Sequence, residues 1–192
     1  MPSNYILYVK VLPYTTRDSP DVSYVRTELI NLYREKINKM GTSEYLNNPH
    51  KDSGFDLYLP NNMGNINSRQ VGLIDMCVQC AAYRVVGVND DGTSNLEPCP
   101  YYMYARSSLP KKGLLLANST GIIDSGYRGN LKAFVHNYTD NDITFGTDKT
   151  TIKAYDRLVQ LCSPDLTPFT VKLVDSLDNT ARGSGGFGST GN

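Results

Sequence analysis

Residues 71–92, VGLIDMCVQCAAYRVVGVNDDG, hold two apolar runs and a turn signal. Val71–Val78 and Tyr83–Val88 are rich in β-branched and aliphatic residues, which favours strands. Asn89-Asp90-Asp91-Gly92, which follows them, is typical of a tight turn between strands. The stretch therefore predicts short strands joined by turns.

Similar apolar runs, separated by Gly, Pro, Asn and Asp, continue on both sides of this stretch. They are Tyr5–Leu12, Phe55–Leu59, Tyr101–Tyr104, Gly113–Ala117, Leu131–Val135 and Leu158–Cys162. Many short strands with regular turns favour a sandwich, a jelly roll or a barrel. No segment repeats at a fixed period. The sequence therefore predicts an all-β fold.

Residues 18–51 contain the one segment with a clear helical pattern. Ser19-Pro20 is typical of an N-cap followed by proline at the first helical position, and Gly41 can end the helix. Between them, apolar side chains recur at helical spacing, at Val22, Val25, Leu29, Leu32 and Tyr33. We expect this helix to pack its apolar stripe on the rest of the domain.

The composition is that of an ordinary globular protein. The chain has 192 residues, enough for one domain, with 40% hydrophobic residues, 20% charged residues and a net charge of zero. Without a basic excess, no nucleic-acid surface is expected, and no apolar stretch approaches a membrane-spanning helix in length. The start lacks the layout of a signal peptide, so we expect a cytoplasmic or nuclear protein.

Four cysteines in this length do not resemble a disulfide framework and favour a reducing compartment. Cys77-Val78-Gln79-Cys80 suggests zinc, with Cys99 and Cys162 or His136 as partners, but a second close pair is missing. Residues three apart on a strand also face opposite sides. Buried, unpaired cysteines are the preferred interpretation.

Three segments carry residues suited to phosphate chemistry. Arg106-Ser107-Ser108 combines a guanidinium fork with hydroxyl donors. Asp124 follows the apolar residues Gly121-Ile122-Ile123, where a carboxylate can orient or deprotonate a water, and an Asx-type turn residue is the alternative. Arg182–Asn192 is almost all Gly, Ser and Thr around Phe187, so it is either a flexible tail or a segment that orders over a ligand.

These three segments, together with two further stretches, resemble in order the five motifs of the trimeric dUTPase family. The matching stretches are Ser53–Tyr58, Arg106–Leu109 running to Gly113, Asn118–Gly129, Arg157–Leu161 and Arg182–Gly191. Five motifs in order make the resemblance specific. It implies a distorted jelly roll of the dUTPase-like β-clip type over residues 1–181. Residues 18–51 would be an inserted helical segment, and 182–192 a mobile tail that closes on the substrate.

The resemblance also implies hydrolysis of dUTP to dUMP and pyrophosphate with Mg²⁺, by a homotrimer whose subunits share each site. Asp124 would orient the attacking water, as the catalytic residue, and Asp56 would lie near the Mg²⁺ and act through its waters. The substrate-binding residues would be Arg106, Ser107, Ser108 and Gln160 at the phosphates, Asn118, Gly121 and Ile123 at the uracil, Tyr127 at the sugar, Arg182 at the γ-phosphate, and Phe187, Gly188 and Ser189 in the tail, with Phe187 over the base.

The chain also departs from the family pattern. Ser108 stands where the family often has glycine, and Ala105 where it often has proline. Residues 18–51 have no counterpart in a minimal member, and the stretch from Asp56 to Arg106 is longer than usual, so an enlarged hairpin is expected there. Enlarged members occur among large DNA viruses, which makes an enlarged viral-type member one interpretation.

Two other functions stay open at this point. A dCTP deaminase has the same fold and shares Arg-Ser-Ser in its second motif, but it needs a catalytic glutamate on the strand after the third motif. Phe134 stands there, and Leu131–Asn137 contains no acid. The other alternative is a dUTPase-like scaffold that binds or regulates a partner protein through the inserted helix. All the expected catalytic positions are filled, which favours the enzyme.

Overall fold

The structure is a computed structural model that describes residues 4–13, 22–60, 64–146 and 152–185. Within these residues the chain forms thirteen strands, two α-helices and one short 3-10 helix at Pro110–Lys112. The helices are α1 (Val22–Met40) and α2 (Ser43–Asn47). The strands are β1 (Tyr5–Val11), β2 (Phe55–Tyr58), β3 (Val71–Asp75), β4 (Val78–Val88), β5 (Ser94–Pro98), β6 (Tyr101–Ala105), β7 (Leu114–Leu116), β8 (Gly121–Ile123), β9 (Lys132–Asn137), β10 (Phe145–Gly146), β11 (Ile152–Lys153), β12 (Arg157–Cys162) and β13 (Thr170–Leu173).

The described strands form three larger open sheets and one small one. Their strand orders are β13-β1-β4-β5, β2-β12-β6-β8, β3-β9-β7 and β10-β11. The first strand lies beside the last, because β1 pairs in parallel with β13 and antiparallel with β4. Neighbours in a sheet are therefore often distant in sequence, as expected for a jelly roll rather than a meander. The all-β prediction, with an added helix, is confirmed.

The core lies between the inner faces of these sheets. Strand β9 shows the alternation that such a face requires, because Ala133 and Val135 are buried while the residues between them are not. Leu7, Leu57 and Leu161 come from three other strands and are fully buried in the same cluster. Burial of such side chains is the main favourable term that holds the sheets together.

Helix α1 begins at Val22, and the expected cap at Ser19-Pro20 lies outside the described residues. Its end is as predicted, since the Gly41 N–H donates to the Ile37 carbonyl at 3.1 Å. Leu29 and Tyr33 are fully buried, four residues apart on one face. Leu29 and Tyr33 therefore pack on the β domain, as expected from the spacing, whereas the side chains of Val22 and Val25 lie outside the described part of the helix.

Two local features differ from the sequence-based prediction. The apolar run Val71–Val78 is not one strand, because the Asp75 side chain accepts from the Cys77 N–H at 2.8 Å and turns the chain between β3 and β4. Strand β5 was not predicted, since Ser94–Pro98 is polar and becomes a strand only by pairing with β4. The resulting β4–β5 hairpin occupies the region where an enlarged hairpin was expected, with Gly92 at a positive φ of 82° in its turn.

Neither described helix has the combination of length and apolar character that a membrane span requires. The four cysteines are buried, as predicted. Burial raises the pKa of the Cys80 thiol, and it raises that of Cys99 to about 11. The thiols of Cys80 and Cys99 are therefore protonated at neutral pH, so these two residues pack as small apolar side chains.

Candidate active site

Strand β12 brings together residues from three of the predicted motifs. It lies between β2 and β6, with Gln160 opposite Asp56 on one side and opposite Tyr104 on the other. Arg106 follows β6 directly, and its N–H donates to the Leu158 carbonyl at 2.9 Å. Asp56, Arg106 and Gln160 are thus neighbours because of strand register, although they are far apart in sequence.

Asp56 is the centre of a charged cluster. Its carboxylate is nearly buried, with a side-chain exposure of 12%, and lies 2.8 Å from the Arg106 Nε. Arg157 at 3.1 Å and Lys36 at 3.4 Å approach the other carboxylate oxygen. One acid surrounded by three cations leaves the cluster with an excess of positive charge. Such a site attracts a polyanion.

A cavity of about 660 Å³ opens beside this cluster, and we call it the cationic cleft. Arg106 and Ser107 line it, whereas Ser108 is half-buried and does not. The full lining consists of Asp52, Ser53, Gly54, Asp56, Tyr104, Ala105, Arg106, Ser107, Gln160, Cys162 and Leu166. The first, second and fourth predicted motifs therefore meet at one cleft.

Gly54 allows this convergence at close range. A Cβ atom at that position would lie 1.9 Å from the Gln160 Oε1, well inside van der Waals contact. The Gln160 amide also donates to the Ala105 carbonyl at 3.2 Å. Gln160 is thus fixed between β2 and β6, and only glycine leaves room for it at position 54.

A second group of predicted residues lies around the turn after β8. Asp124 follows that strand and is half exposed, and the Arg182 guanidinium approaches its carboxylate at 2.9 Å. The chain on both sides of Arg182 is held against the same turn, and after it the Arg128 N–H donates to the Gly183 carbonyl at 2.7 Å. The Thr180 hydroxyl donates to the Gly126 carbonyl. The third and fifth motifs of one chain therefore contact each other.

Tyr127 lies in this second group with its ring against the core. Its hydroxyl donates to the Asn130 carbonyl at 2.9 Å. Burial raises the pKa of Tyr127, which keeps the phenol neutral. A Cβ at Gly129 would lie 2.4 Å from the Tyr127 oxygen, so this glycine lets the ring lie close to the backbone.

The buried Arg128 anchors the same region. Its guanidinium pairs with Asp178 at 3.0 Å and also donates to the Ser125 carbonyl at 2.8 Å. The hydrogen bond from Arg128 is the main cause that lowers the pKa of Asp178, and Tyr83 adds a second donor. The segment that leads to the tail is thereby fastened to the turn that carries Asp124.

The group around Asp56 and the group around Asp124 lie at opposite ends of the β6–β8 strand pair. Strand β8 runs antiparallel to β6, with Gly121 opposite Met103 and Ile123 opposite Tyr101. Arg106 follows the end of β6 and Asp124 follows the end of β8, so they lie beyond opposite ends of the pairing. The four residue steps from Tyr101 to Ala105 alone span about 13 Å. One chain does not place Asp124 at its own cationic cleft.

Asn118 is exposed before β8, while Gly121 and Ile123 are the first and last residues of that strand. Ile122, between them, is 69% exposed, so this edge of the sheet is open to a ligand. Phe187, Gly188 and Ser189 lie outside the described residues.

Sequence reasoning identified Arg106 but missed the other two cations that surround Asp56, Arg157 and Lys36. Arg157 is the first residue of the fourth motif, so its place in that motif could have predicted a contact with Asp56. Lys36 carried no such signal, because it belongs to the added helix and no spacing rule relates it to Asp56. Burial lowers the pKa of Lys36, and the Asp56 charge opposes that shift.

The described residues contain no cluster of three or more His, Cys, Asp or Glu side chains suited to hold a metal ion. Two carboxylates line the cationic cleft, Asp52 and Asp56, and Asp56 is already paired with cations. This donor set fits a magnesium ion that is held mainly by phosphate oxygens and waters, which is how Mg²⁺ is commonly bound at phosphate sites. It does not fit a metal held by the protein alone.

The sequence of this chain is similar to that of known proteins. A family model described as dUTPase matches residues 44–191. The deoxyuridine 5'-triphosphate nucleotidohydrolase of Escherichia phage T5 is 44% identical over 87 residues, which cover 45% of this chain and 54% of that protein. The protein of the same name from Desulfitobacterium hafniense (strain DSM 10664 / DCB-2) is 42% identical over 91 residues, covering 47% and 56%.

A third relative, of the same name, comes from Paramecium bursaria Chlorella virus 1 and is 46% identical over 71 residues, covering 37% of this chain and 45% of its own. The chain thus spans about half the length of the curated relatives it matches. Among solved structures, the native EIAV dUTPase is 23% identical, with a TM-score of 0.40 over 58% of this chain and 73% of that one. Since the family model extends over more than half of the sequence and includes all five motif stretches, this chain belongs to the dUTPase family.

Proposed function

We propose that the chain hydrolyses dUTP to dUMP and pyrophosphate. The observation that carries this proposal is the cationic cleft, where Arg106, Ser107 and Gln160 line a cavity beside a charged cluster with excess positive charge. A triphosphate is a polyanion that such donors can hold through charge-assisted hydrogen bonds. Membership of the dUTPase family supports dUTP as the substrate.

The complete site is shared between subunits of a homotrimer. The β6–β8 ladder holds Asp124 away from the cleft of its own chain, so the Asp124 that acts there comes from another copy. Exposed apolar side chains on the β3-β9-β7 sheet support such an assembly, since Val71, Leu73 and Leu115 are 57%, 45% and 45% exposed. Burying a patch of this kind between copies stabilises an oligomer.

In the reaction, a water held by Asp124 attacks the α-phosphorus in line with the bridging oxygen. The new bond joins the water oxygen to phosphorus, the bond to the bridging oxygen breaks, and pyrophosphate leaves. Asp124 orients the water and takes its proton. Arg106, Ser107 and Gln160 hold the phosphates in place, which supplies most of the acceleration through positioning and charge stabilisation.

The nucleoside is recognised at the turn after β8. Asn118, with the backbone from Gly121 to Ile123, contacts the uracil edge, and the Tyr127 ring lies against the sugar where a 2′-hydroxyl would need space. Because the Tyr127 hydroxyl is bound to Asn130, the ring is held in one orientation. This rigidity supports a steric choice of deoxyribose over ribose.

Asp56 would hold a magnesium ion through its waters, and the ion would supply neutralisation of phosphate charge. Ser108, next to Ser107, helps to position the phosphates. Residues 182–192 close over the bound nucleotide, with Arg182 at the γ-phosphate, Phe187 over the base, and Gly188 and Ser189 as further substrate contacts of the tail. A closing segment of this kind excludes bulk water. The remaining residues, 1–181, form one domain with 18–51 as an insertion.

The test is pyrophosphate release from dUTP with Mg²⁺, by wild type, Asp124→Asn and Asp90→Asn. Asp90 is the control, since it is an exposed carboxylate in the β4–β5 turn. We expect Asp124→Asn to lower kcat about 10²-fold to 10⁴-fold, the range for loss of a general base. Asp90→Asn should keep the wild-type rate. Equal and negligible rates for all three proteins would favour a binding module, and ammonia released from dCTP would favour a deaminase.

A further inference from the structure

The added helix α1 reaches the charged cluster at the cationic cleft. Lys36, on its inner face, places its Nζ 3.4 Å from one carboxylate oxygen of Asp56 and 3.5 Å from the Asp56 carbonyl oxygen. Its side chain is only 18% exposed. A lysine so enclosed is unusual, because these side chains are mostly exposed unless they are paired.

The surroundings of Lys36 fix its position. The Nζ lies 4.7 Å from the centroid of the Phe55 ring and 5.9 Å from that of Tyr58, which is within cation–π range. Tyr33, one turn earlier on the helix, stacks on Phe55 and accepts from the Tyr58 N–H at 3.1 Å. The helix is therefore docked on β2 by aromatic contacts on both sides of the lysine.

A second contact fastens the helix to the turn before β12, the strand that carries Gln160. The Tyr155 hydroxyl donates to the Glu28 carboxylate, and Tyr155 lies two residues before β12 begins. The helix therefore contacts both β2 and the turn before β12. Asp56 on β2 and Gln160 on β12 lie opposite each other in this strand pair. Its position is coupled to the cleft through both strands.

The charge balance gives Lys36 a role beyond packing. One oxygen of Asp56 pairs with Arg106, and the other pairs with Arg157 and Lys36. Removing Lys36 leaves a nearly buried carboxylate with one cation fewer, so Asp56 competes more strongly for the two arginines. Arg106, which lines the cleft, is then less available to an incoming anion.

We propose that Lys36 is a positioning residue for the polyphosphate site, so that the helix inserted in this chain is an integral part of the active site. Lys36 does not line the cleft itself and acts through Asp56 on Arg106. The inference rests on the proposed function for its ligand class, a polyphosphate. It predicts weaker phosphate binding rather than a slower chemical step when the charge is lost.

The test compares wild type with Lys36→Met, which keeps much of the stem and loses the charge, and with Lys36→Arg, which keeps the charge. Lys39→Met is the matched control, because Lys39 is exposed on the same helix. Binding of inorganic triphosphate is measured by calorimetry, and KM and kcat for dUTP are measured separately. Thermal unfolding checks that each variant is folded.

We expect Lys36→Met to weaken triphosphate binding and to raise KM about 10-fold to 100-fold, the range for a hydrogen bond to a charged group, with a much smaller change in kcat. Lys36→Arg should recover most of the affinity, and Lys39→Met should match wild type. If Lys36→Met does not fold, Lys36→Gln provides the same test with a polar side chain. Unchanged triphosphate affinity in the uncharged variant overturns the proposal.

A double-mutant cycle separates positioning from packing. In the background of Asp56→Asn, Lys36→Met should have little further effect on triphosphate affinity, because the carboxylate it balances is gone. Equal effects in both backgrounds would show that Lys36 does not act through Asp56. Failure of wild type to hydrolyse dUTP, with Lys36-dependent triphosphate binding intact, would reject the proposed function and keep this inference.

Discussion

The Arg182 guanidinium lies 2.9 Å from the Asp124 carboxylate of the same chain. The first residue of the tail segment is thus paired with the aspartate that we propose as the general base. Side-chain exposures of 37% and 52% mean that solvent screens this pair, so it contributes at most about 1 kcal/mol to stability. Substrate phosphates can therefore displace it at low cost, which would free Asp124 for water and Arg182 for the γ-phosphate.

Deleting residues 182–192 should remove most of the turnover while leaving the domain folded. Loss of the arginine and the glycine-rich segment takes away donors to the developing charge, and one such donor is worth about 10²-fold to 10³-fold in kcat. The melting temperature should fall only slightly, since the deletion loses a weak ion pair and the hydrogen bond from the Arg128 N–H to the Gly183 carbonyl. Steady-state kinetics beside thermal unfolding make the test, and an undiminished rate would refute the closing tail.

Gly54→Ala should weaken dUTP binding through Gln160. The new methyl group would lie 1.9 Å from the Gln160 Oε1, so the glutamine must leave its position between β2 and β6. Overpacking of this kind costs about 1–3 kcal/mol, and we expect KM to rise about tenfold or more. Gly87→Ala is the control, because no atom of the described residues lies within 4 Å of a Cβ there. Identical kinetics in the two variants would show that Gln160 does not contact substrate.

Gly129→Ala should relax the choice between dUTP and UTP. A Cβ at this position would lie 2.4 Å from the Tyr127 oxygen and push the ring out of place. Tyr127→Ala removes the ring and should admit UTP, whereas Tyr127→Phe loses only the hydrogen bond to Asn130 and should discriminate better than either. The ratio of kcat/KM for the two nucleotides is the measurement. An unchanged ratio in both alanine variants would place sugar selection elsewhere.

Asp178→Asn should destabilise the protein at neutral pH and not in acid. The folded-state pKa of Asp178 is lowered, mainly by the hydrogen bond from Arg128. Its contribution is therefore complete above the ordinary aspartate pKa of about 3.9 and is lost as the pH falls through the lower folded value. Since the carboxylate is 49% exposed, we expect a loss of only about 1 kcal/mol at pH 7. Unfolding curves of both proteins across this range test it, and a constant difference would contradict the assignment.

Local sequence determined much of this protein. The apolar runs and turn residues gave most strands, because alternation and turn chemistry are short-range properties. These local patterns did not predict the strand at Ser94–Pro98, which forms only because β4 pairs with it. They also failed at Cys77, where the Asp75 side chain turns the chain within an apolar run.

The five motif stretches were readable in order from the sequence, and with them the family and the candidate residues. Two spatial relationships were not readable. The separation of Asp124 from Arg106 follows from the register of β8 on β6, and the approach of Lys36 to Asp56 follows from how α1 docks on β2. Both depend on packing between residues distant in the chain, which no local pattern encodes and only the tertiary structure decides.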